Sequence, residues 1–306
     1  MPGPLRIGFL STLYHTSHIL REERWIEQEL GVPALWTLCG TGPEMIEAFG
    51  QNELEAGHVG LPPALIGISK GIPLACIGGG HVEGTLVLAG PQYKGLEELG
   101  DVPLVLEQFR HCRVGIPARG SIHDVIFRTL LARHSCQDCE IVNFSWADLI
   151  PHALLKGEIE AAVGTPPLAV LCEMECGTHV VIPPGVLWPF SPSYGIVVRR
   201  EILDEAALLE GFLMLHERAC NLILESPDRA AHLTVRALPW LDKDFVERVY
   251  AVSPRYCASL PDPYVRSTFD FIPVLNALGY LDKNLGPESV FETGYINKVH
   301  PGSHHY

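Results

Sequence analysis

Two stretches of this sequence resemble each other: ELEAGHVGLPP at residues 53–63 and EIEAAVGTPP at residues 158–167. In each, a helix-like segment ends, a short Ala/Val run follows, and then come glycine, one variable residue and two prolines. The copies lie roughly 100 residues apart, which is too far for a solenoid repeat. The repeat therefore predicts two similar α/β lobes, each sending one strand toward a shared cleft. Proline fits the first turn of a helix because the N–H it lacks has no partner there.

Short apolar segments alternate with amphipathic helical segments along most of the chain, which predicts the α/β class with mostly parallel sheets. The expected strands cover residues 5–10, 34–39, 56–60, 73–77, 85–89, 112–116, 140–144, 161–163, 180–182 and 194–198. The last of these is expected to rejoin the first sheet. We expect a discontinuous first lobe (1–90 and 190–306, with the C-terminal helices) and a second lobe (91–189). Residues after Lys298 are polar and are expected to fray.

Composition excludes several classes of function. A chain of 306 residues suggests about two domains, and 47% apolar residues are enough for real cores. The formal net charge of −14 argues against nucleic acid and anionic membrane surfaces as partners. It leaves a small anionic ligand possible, because local backbone amides can outweigh the global field.

The N-terminal segment MPGPLRIGFL enters a strand pattern at once and has no basic and apolar regions of a signal peptide. Two locations follow as expectations. The protein is periplasmic or lipid-anchored outside the cytoplasm if a leader was removed, and cytoplasmic otherwise.

Nine cysteines are scattered through apolar surroundings, and an odd number favours reduced thiols over a disulfide scaffold. Cys136 and Cys139 form a CxxC pair without a second pair or matching histidines. This isolated pair favours a surface turn over a zinc site.

With the double motif, the segments RVGIPARGSIHDVIFRTLL (113–131) and GISKGIPLACIGGG (67–80) make the chain resemble type 2 periplasmic binding proteins. The most similar branch is the nitrate/sulfonate/taurine group (NMT1-like), which includes thiamine-pyrimidine synthases, and the resemblance covers roughly residues 5–280. It implies two Rossmann-like lobes joined by two crossovers, with hinge closure on a ligand. It also implies a monomeric substrate-binding component of an ABC importer. The implied partners are the ABC permease and a small anionic organic solute (sulfonate, taurine or nitrate-like), without a cofactor.

Helix N-termini are the first candidate ligand sites, because their free amides and positive dipole ends suit an anion. Arg119, Gly120 and Ser121 precede one helix. A role as a simple N-cap accounts for Ser121 as well as ligand binding does. Gly40, Thr41 and Gly42 offer the same from the first lobe. The paired motifs add Leu61 and Pro62 from one lobe and Thr165 and Pro166 from the other.

Histidines and aromatic residues in loops form the second candidate group. Tyr14, His15 and His18 follow the first strand, His81 follows three glycines, and His123 lies in a first helical turn. Four converging imidazoles suit a metal or an aromatic ligand, whereas each alone is more typical of a solvated loop.

The crossover residues Trp188 and Phe190 form either an aromatic wall for a ligand or hinge packing, and Trp146 is a second candidate wall.

The resemblance also implies an alternative, a cytosolic relative acting as a biosynthetic enzyme or as a ligand or metal sensor. The thiamine-pyrimidine branch carries a polar residue three positions before a histidine, as His15 and His18 do. It also needs a cofactor-binding lysine and a cysteine-rich segment. No lysine precedes Lys70 and no such segment is present, which weakens the synthase alternative. No Ser-His-Asp order, P-loop or HExxH pattern appears, so neither an enzyme nor a metal site is predicted.

Overall fold

The computed structural model describes residues 3–136 and 138–306. Within them the strands are β1 (Leu5–Leu10), β2 (Ala34–Cys39), β3 (Ala56–Val59), β4 (Leu74–Val82), β5 (Leu86–Ala89), β6 (Arg113–Pro117), β7 (Glu140–Phe144), β8 (Ala161–Gly164), β9 (His179–Ile182) and β10 (Pro192–Arg199). The α-helices are α1 (Ser17–Glu23), α2 (Gly42–Gly50), α3 (Leu61–Ser69), α4 (Leu96–Leu99), α5 (Val102–Glu107), α6 (Ile122–Arg133), α7 (Ile150–Leu155), α8 (Pro166–Cys176), α9 (Ala206–Glu225), α10 (Pro227–Ala237), α11 (Lys243–Val252), α12 (Asp262–Ala277), α13 (Pro287–Val290) and α14 (Gly294–Val299).

The strands form two five-stranded sheets with the same topology. The first has the order β2-β1-β3-β10-β4 and the second the order β7-β6-β8-β5-β9. The pairs β1–β2, β1–β3, β6–β7 and β6–β8 are parallel. In each sheet one strand, β10 or β5, runs antiparallel to both of its neighbours. Both sheets are therefore mixed, with a parallel part built from βα units.

The two antiparallel strands carry the crossovers between the lobes. β10 rejoins the first sheet beside β3 and β4, as the sequence predicts. β5 pairs with β8 and β9 of the second sheet. The expectation that residues 85–89 belong with residues 1–90 is therefore wrong for this strand. The first crossover lies just before β5. The prediction fails because the apolar composition of a buried strand does not tell which sheet the strand joins.

The repeated motif occupies the same position in both sheets. β3 leads into α3 and β8 leads into α8, and each strand is central in its sheet. The helix after the second copy begins one residue later in the motif than the helix after the first. The N-cap of α3 is Gly60, the glycine of the motif, whereas the N-cap of α8 is Thr165, the residue after that glycine. The strand registers show the same offset, with Gly8 facing Gly57 and Gly115 facing Ala162. Sequence alignment on the shared Val-Gly pair is therefore displaced by one residue from the structural correspondence.

The second glutamate of each motif fastens a neighbouring strand. The carboxylate of Glu55 accepts the backbone N–H of Arg6 at 2.9 Å, and that of Glu160 accepts the N–H of Arg113 at 2.6 Å. Each carboxylate also pairs with the guanidinium of the same arginine, at 3.3 Å and 2.8 Å. This pairing with Arg113 lowers the pKa of Glu160. The acidic half of the motif thus links the first parallel strand of each lobe to its third.

Apolar residues cover both faces of the sheets. Ile7, Ile19 and Phe212 belong to a core on one face of the first sheet. A second core runs from Phe49 in the first lobe to Phe127 in the second, so the lobes share apolar packing on one side. All nine cysteines are free thiols. No helix in the described part of the chain combines the length and apolarity needed to cross a membrane.

The C-terminal segment is packed, which corrects the expectation of a frayed end. The Tyr306 hydroxyl accepts the N–H of Gly80 at 3.2 Å and donates to the carbonyl of Ser259 at 2.9 Å. The three glycines lie inside β4 and not in a loop after it. A Cβ on Gly79 would lie 1.9 Å from the Tyr306 hydroxyl, so Gly79 makes room for this tyrosine.

Candidate ligand site between the lobes

A small cavity of about 50 Å³ lies where the two lobes meet. Four helices begin at it: α2 and α3 from the first lobe, α6 and α8 from the second. The lining residues come from both lobes and from the start of β10. They are Leu10, Ser11, Thr12, Tyr14, His15, Gly40, Thr41, Gly42, Gly60, Pro63, Pro117, Ser121, Ile122, His123, Ala147, Thr165 and Ser193.

Nine of the lining side chains carry a hydroxyl or an imidazole, and none is Asp, Glu, Lys or Arg. Each converging helix directs its positive dipole end and its unpaired first-turn amides toward this space. Prolines remove amides from the first turns of α2, α3 and α8, so the available donors come mainly from α6. A cavity with positive dipole ends and no carboxylate favours an anionic group, even in a chain with a net charge of −14.

His123 is held so that one ring nitrogen stays free. Its Nδ1 and the hydroxyl of Thr85 share a hydrogen bond of 2.9 Å, and burial lowers the pKa of His123 to about 4. The ring is therefore neutral near neutral pH. Nε2 is not used in any hydrogen bond found within the described residues, so it is available to a ligand in the cavity.

His15 lies on the first-lobe side of the cavity and is nearly inaccessible to solvent. Its ring centroid is 4.0 Å from that of Tyr194. Burial, with a further contribution from His58 and other nearby imidazoles, lowers the pKa of His15 well below its usual value. Its Nδ1 is buried without a hydrogen-bond partner among the residues described. A neutral, unpaired imidazole is thus directed into the protein interior at the edge of the site.

Contacts across the cleft bring the lobes close together. The Ser11 hydroxyl donates to the carboxylate of Asp148 at 3.0 Å. A Cβ on Gly40 would lie 2.6 Å from the ring of Trp146, so glycine allows this tryptophan to approach the first lobe. The remaining space holds only a few water molecules. An organic ligand therefore requires wider separation of the lobes.

A larger groove of about 690 Å³ adjoins the cavity and shares Ser11, Thr12, Ala147 and Thr165 with it. Most of its wall is apolar. The side chains that contribute are Phe9, Leu13, Leu38, Pro151, Pro167, Leu168, Leu171, Met174, Leu238, Trp240, Leu241 and Phe245. Trp240, at the edge of the groove, is 78% exposed. The groove provides room for an apolar body beside the cavity.

Most of the candidate ligand-binding residues predicted from the sequence lie in the cavity or beside it. Tyr14, His15, Gly40, Thr41, Gly42, Ser121, His123 and Thr165 line the cavity. Leu61, Pro62, His81, Gly120 and Pro166 lie next to lining residues without lining the cavity themselves, and His18 faces the apolar groove. Ligand contact by the residues that line the cavity stays a prediction.

Arg119 points away from the cavity. Its Nε donates to the hydroxyl of Tyr280 at 3.0 Å, and its guanidinium lies over that ring. The backbone N–H of Gly120 is also occupied, since it donates to the carboxylate of Asp124 at 2.9 Å. Ser121 acts as an N-cap, accepting the N–H of Asp124. The expected positive charge at this helix end is therefore absent from the cavity.

The aromatic residues of the second crossover are packed into the protein. Trp188 stacks on Phe271 with ring centroids 4.0 Å apart, and its indole N–H donates to Ser267 at 3.1 Å. Phe190 contacts the ring of Tyr306 at a centroid distance of 5.4 Å. Both rings thus pack against other parts of the protein, and neither lines the cavity between the lobes.

The four loop histidines do not come together as a metal-binding group. Nε2 of His81 bonds the carbonyl of Ser253 at 2.6 Å, behind Tyr14. His18 packs edge-on against Phe9. Within the described residues, the group of side chains close enough to hold a metal lies elsewhere. His15 instead belongs to a buried aromatic cluster around Tyr194, together with His58 and His216.

Sequence reasoning missed several lining residues. Ser11, Thr12 and Ala147 follow the ends of β1 and β7, where loops of parallel sheets meet ligands, and this position was the available signal. Ser193 belongs to the returning strand, and its hydroxyl accepts the N–H of Gly84 at 2.6 Å. No sequence pattern pointed to Ser193, because its place depends on the crossover.

Comparison with known proteins agrees with this architecture. The model of the NMT1-like family matches residues 2–237. The chain belongs to the NMT1-like family. The resemblance inferred from the sequence is thereby confirmed. No protein of curated function matched this sequence.

Several solved structures share the fold of this NMT1-like chain. It is similar to the alkanesulfonate-binding protein SsuA from Xanthomonas axonopodis pv. citri bound to MOPS, with 16% identity, a TM-score of 0.81, and coverage of 95% of this chain and 98% of that one. A zinc-bound ligand-binding component of an ABC-type import system from Staphylococcus aureus has 12% identity, a TM-score of 0.81, and coverage of 98% and 100%. The periplasmic nitrate-binding protein NrtA from Synechocystis PCC 6803 has 14% identity, a TM-score of 0.76, and coverage of 97% and 88%. These similarities confirm the two-lobe α/β fold.

Proposed function

We propose that this chain is the substrate-binding component of an ABC importer and captures a small organic anion between its lobes. The observation that carries the proposal is the convergence of four helix N-termini on one cavity whose lining has no carboxylate. Such an arrangement attracts negative charge through dipoles and amides. The alkanesulfonate-binding and nitrate-binding neighbours support an anionic solute.

The apolar groove supports an organic body on that anion. It continues from the cavity through Ser11, Thr12 and Thr165 and is large enough for a drug-sized group. We propose an alkyl or aryl sulfonate or carboxylate, with its charged group at the helix ends and its body in the groove.

Ligand entry requires a hinge. We propose that residues 86–182 move as one lobe against residues 3–82 and 192–306, with the two connecting segments bending between them. The protein would act as a monomer outside the cytoplasm, where it would deliver its solute to a permease. This is a binding role, and no catalytic step is assigned to the cavity.

A thermal-shift panel tests the proposal. The probes are alkyl- and arylsulfonates, matching carboxylates, nitrate, bicarbonate, pyrimidines and divalent metals. A ligand that binds only the folded state raises its stability by about 2.7 kcal/mol at a hundredfold excess over Kd. We expect organic anions to raise Tm and uncharged analogues to have no effect. A response to pyrimidines without one to any organic anion, or no response to organic anions at all, would contradict an anion site.

A pair of histidine variants locates the binding. His123→Ala removes the free Nε2 from the cavity and should weaken an organic anion about tenfold or more, the effect of losing one hydrogen bond to a charged group. His134→Ala changes an exposed histidine at the opposite end of the same helix and should leave affinity unchanged. Equal affinity in both variants would remove His123 from the site.

A further inference from the structure

Four potential metal ligands lie close together in space, and none of them lines the cavity between the lobes. They are Glu217 on α9, Cys257 after α11, and His300 and His305 in the segment that follows α14. One ligating atom from each lies within 4.8 Å of all the others. We infer that these four residues form a Zn²⁺ site that fastens the C-terminal segment to the first lobe.

The distances approach those of a closed tetrahedral site. Sγ of Cys257 is 3.5 Å from Nε2 of His300. Oε1 of Glu217 is 3.6 Å from the same nitrogen and 2.6 Å from Nε2 of His305. Ligands around tetrahedral zinc lie about 3.3–3.8 Å apart, given bond lengths of about 2.0–2.3 Å. Small side-chain rotations would complete the site, with the metal replacing the Glu217–His305 contact.

The ligand set suits zinc. One thiolate, two imidazoles and one carboxylate are all ligands that zinc accepts, and four protein ligands leave no open position for catalysis. Glu217 is oriented from outside the cluster, because its Oε2 accepts the backbone N–H of Ala258 at 2.8 Å. Such outer contacts commonly fix metal ligands.

Only long contacts join His300 to the other proposed ligands. Nε2 of His300 lies 3.5 Å from the Cys257 thiol and 3.6 Å from the Glu217 carboxylate. The Cys257 thiol is fully buried beside it. A metal would hold together a histidine and a cysteine that otherwise contact each other only weakly.

The site would secure a segment that reaches the hinge. Beyond His305, Tyr306 lies against Gly79 and Gly80 of β4 and contacts Phe190 on the second crossover. Zinc binding would therefore stabilise the terminal segment, the edge of the first sheet and one end of the crossover together.

The test uses the full-length chain after removal of metal with a chelator. Zn²⁺ affinity is measured by competition with a chromophoric chelator, and Co²⁺ is added to detect thiolate coordination by its charge-transfer absorption. We expect one tight Zn²⁺ per chain and a thiolate-to-cobalt band. His305→Ala should weaken Zn²⁺ at least about tenfold, and Cys257→Ser should abolish the band.

Matched controls come from the same chain. His304→Ala lies next to His305 but outside the cluster, and Cys139→Ser removes a thiol from the other lobe. Both should bind Zn²⁺ like the wild type. If Cys257→Ser fails to fold, the exposed position of His305 keeps the test decisive.

Three results would overturn the site: no thiolate band in the wild type, wild-type affinity in His305→Ala, or loss of Zn²⁺ binding in the cleft variant His123→Ala. In the last case the metal would bind between the lobes. A rise in Tm with Zn²⁺ that disappears in His305→Ala but persists in His304→Ala supports the fastening role.

Discussion

Gly79 lies directly beneath the terminal tyrosine, so a single methyl group there tests whether the C-terminal segment is packed. The Cβ of Gly79→Ala would lie 1.9 Å from the Tyr306 hydroxyl and 2.5 Å from the carbonyl of Ser259. We expect a loss of about 1–3 kcal/mol in the free energy of unfolding, typical of overpacking. Urea denaturation measures it.

The control for this substitution is Gly302→Ala in the same segment, where a Cβ meets nothing within 4 Å. It should change stability by less than about 0.5 kcal/mol. Equal stability of Gly79→Ala and the wild type would mean that the segment is not seated on β4.

The sequence predicts where a helix begins better than it predicts where an individual side chain points. The helix end at Gly120 and Ser121 was located correctly, yet Arg119 turns toward Tyr280. Trp188 and Phe271, more than eighty residues apart, stack on one another. Such partners depend on tertiary structure, so no local pattern revealed them.

At the scale of single elements, the glutamate of each repeat is expected to stabilise the strand pair it joins. Glu160→Ala removes a carboxylate that accepts the N–H of Arg113 and pairs with its guanidinium. We expect a loss of about 1–2 kcal/mol, since hydrogen bonds to charged groups are worth somewhat more than neutral ones but this pair is partly exposed. Chemical denaturation of the variant and the wild type measures it.

Glu158→Ala provides the comparison, because this exposed carboxylate lies 4.0 Å from Lys156 and contributes little. A matching loss in Glu55→Ala would show that both lobes use the same device. Equal stability of Glu158→Ala and Glu160→Ala would contradict the role of the motif.

Secondary-structure elements with a local sequence signal are predictable, whereas the sheet that a strand joins is not. The sequence predicts the alternation of strands and helices, the return of β10 and the helix start near Gly40–Gly42, because each has a local signal. It does not predict the sheet joined by β5, since a four-residue buried strand fits either lobe. The three glycines, expected in a loop, lie in β4, where Leu213, Tyr306 and Tyr194 occupy the space that side chains would fill.

For the whole molecule, buried histidines make stability depend on pH. Burial lowers the pKa of His18 and His123 to about 4 and of His81 to about 3. It also lowers the pKa of three further histidines, His15, His58 and His216. Below the unfolded pKa of about 6.5, the unfolded chain binds protons that the folded chain does not. Stability therefore falls as the pH drops from about 6.5 toward 4.

Each such imidazole contributes up to about 1.4 kcal/mol per pH unit in that range. Denaturation between about pH 7 and pH 5 should show a steep loss of stability. His18→Gln should reduce the slope, and the exposed His152→Gln should not. A stability independent of pH in this range would contradict the burial of neutral imidazoles.

Calorimetric titration with octanesulfonate, set against uncharged octanol, tests most directly whether the molecule captures an organic anion between its lobes. We expect one octanesulfonate per chain, weakened about tenfold or more in His123→Ala and unchanged in His134→Ala, and no comparable binding of octanol. Octanol binding as tightly as octanesulfonate, or octanesulfonate binding unaffected by His123→Ala, would contradict an anion site at the converging helix ends.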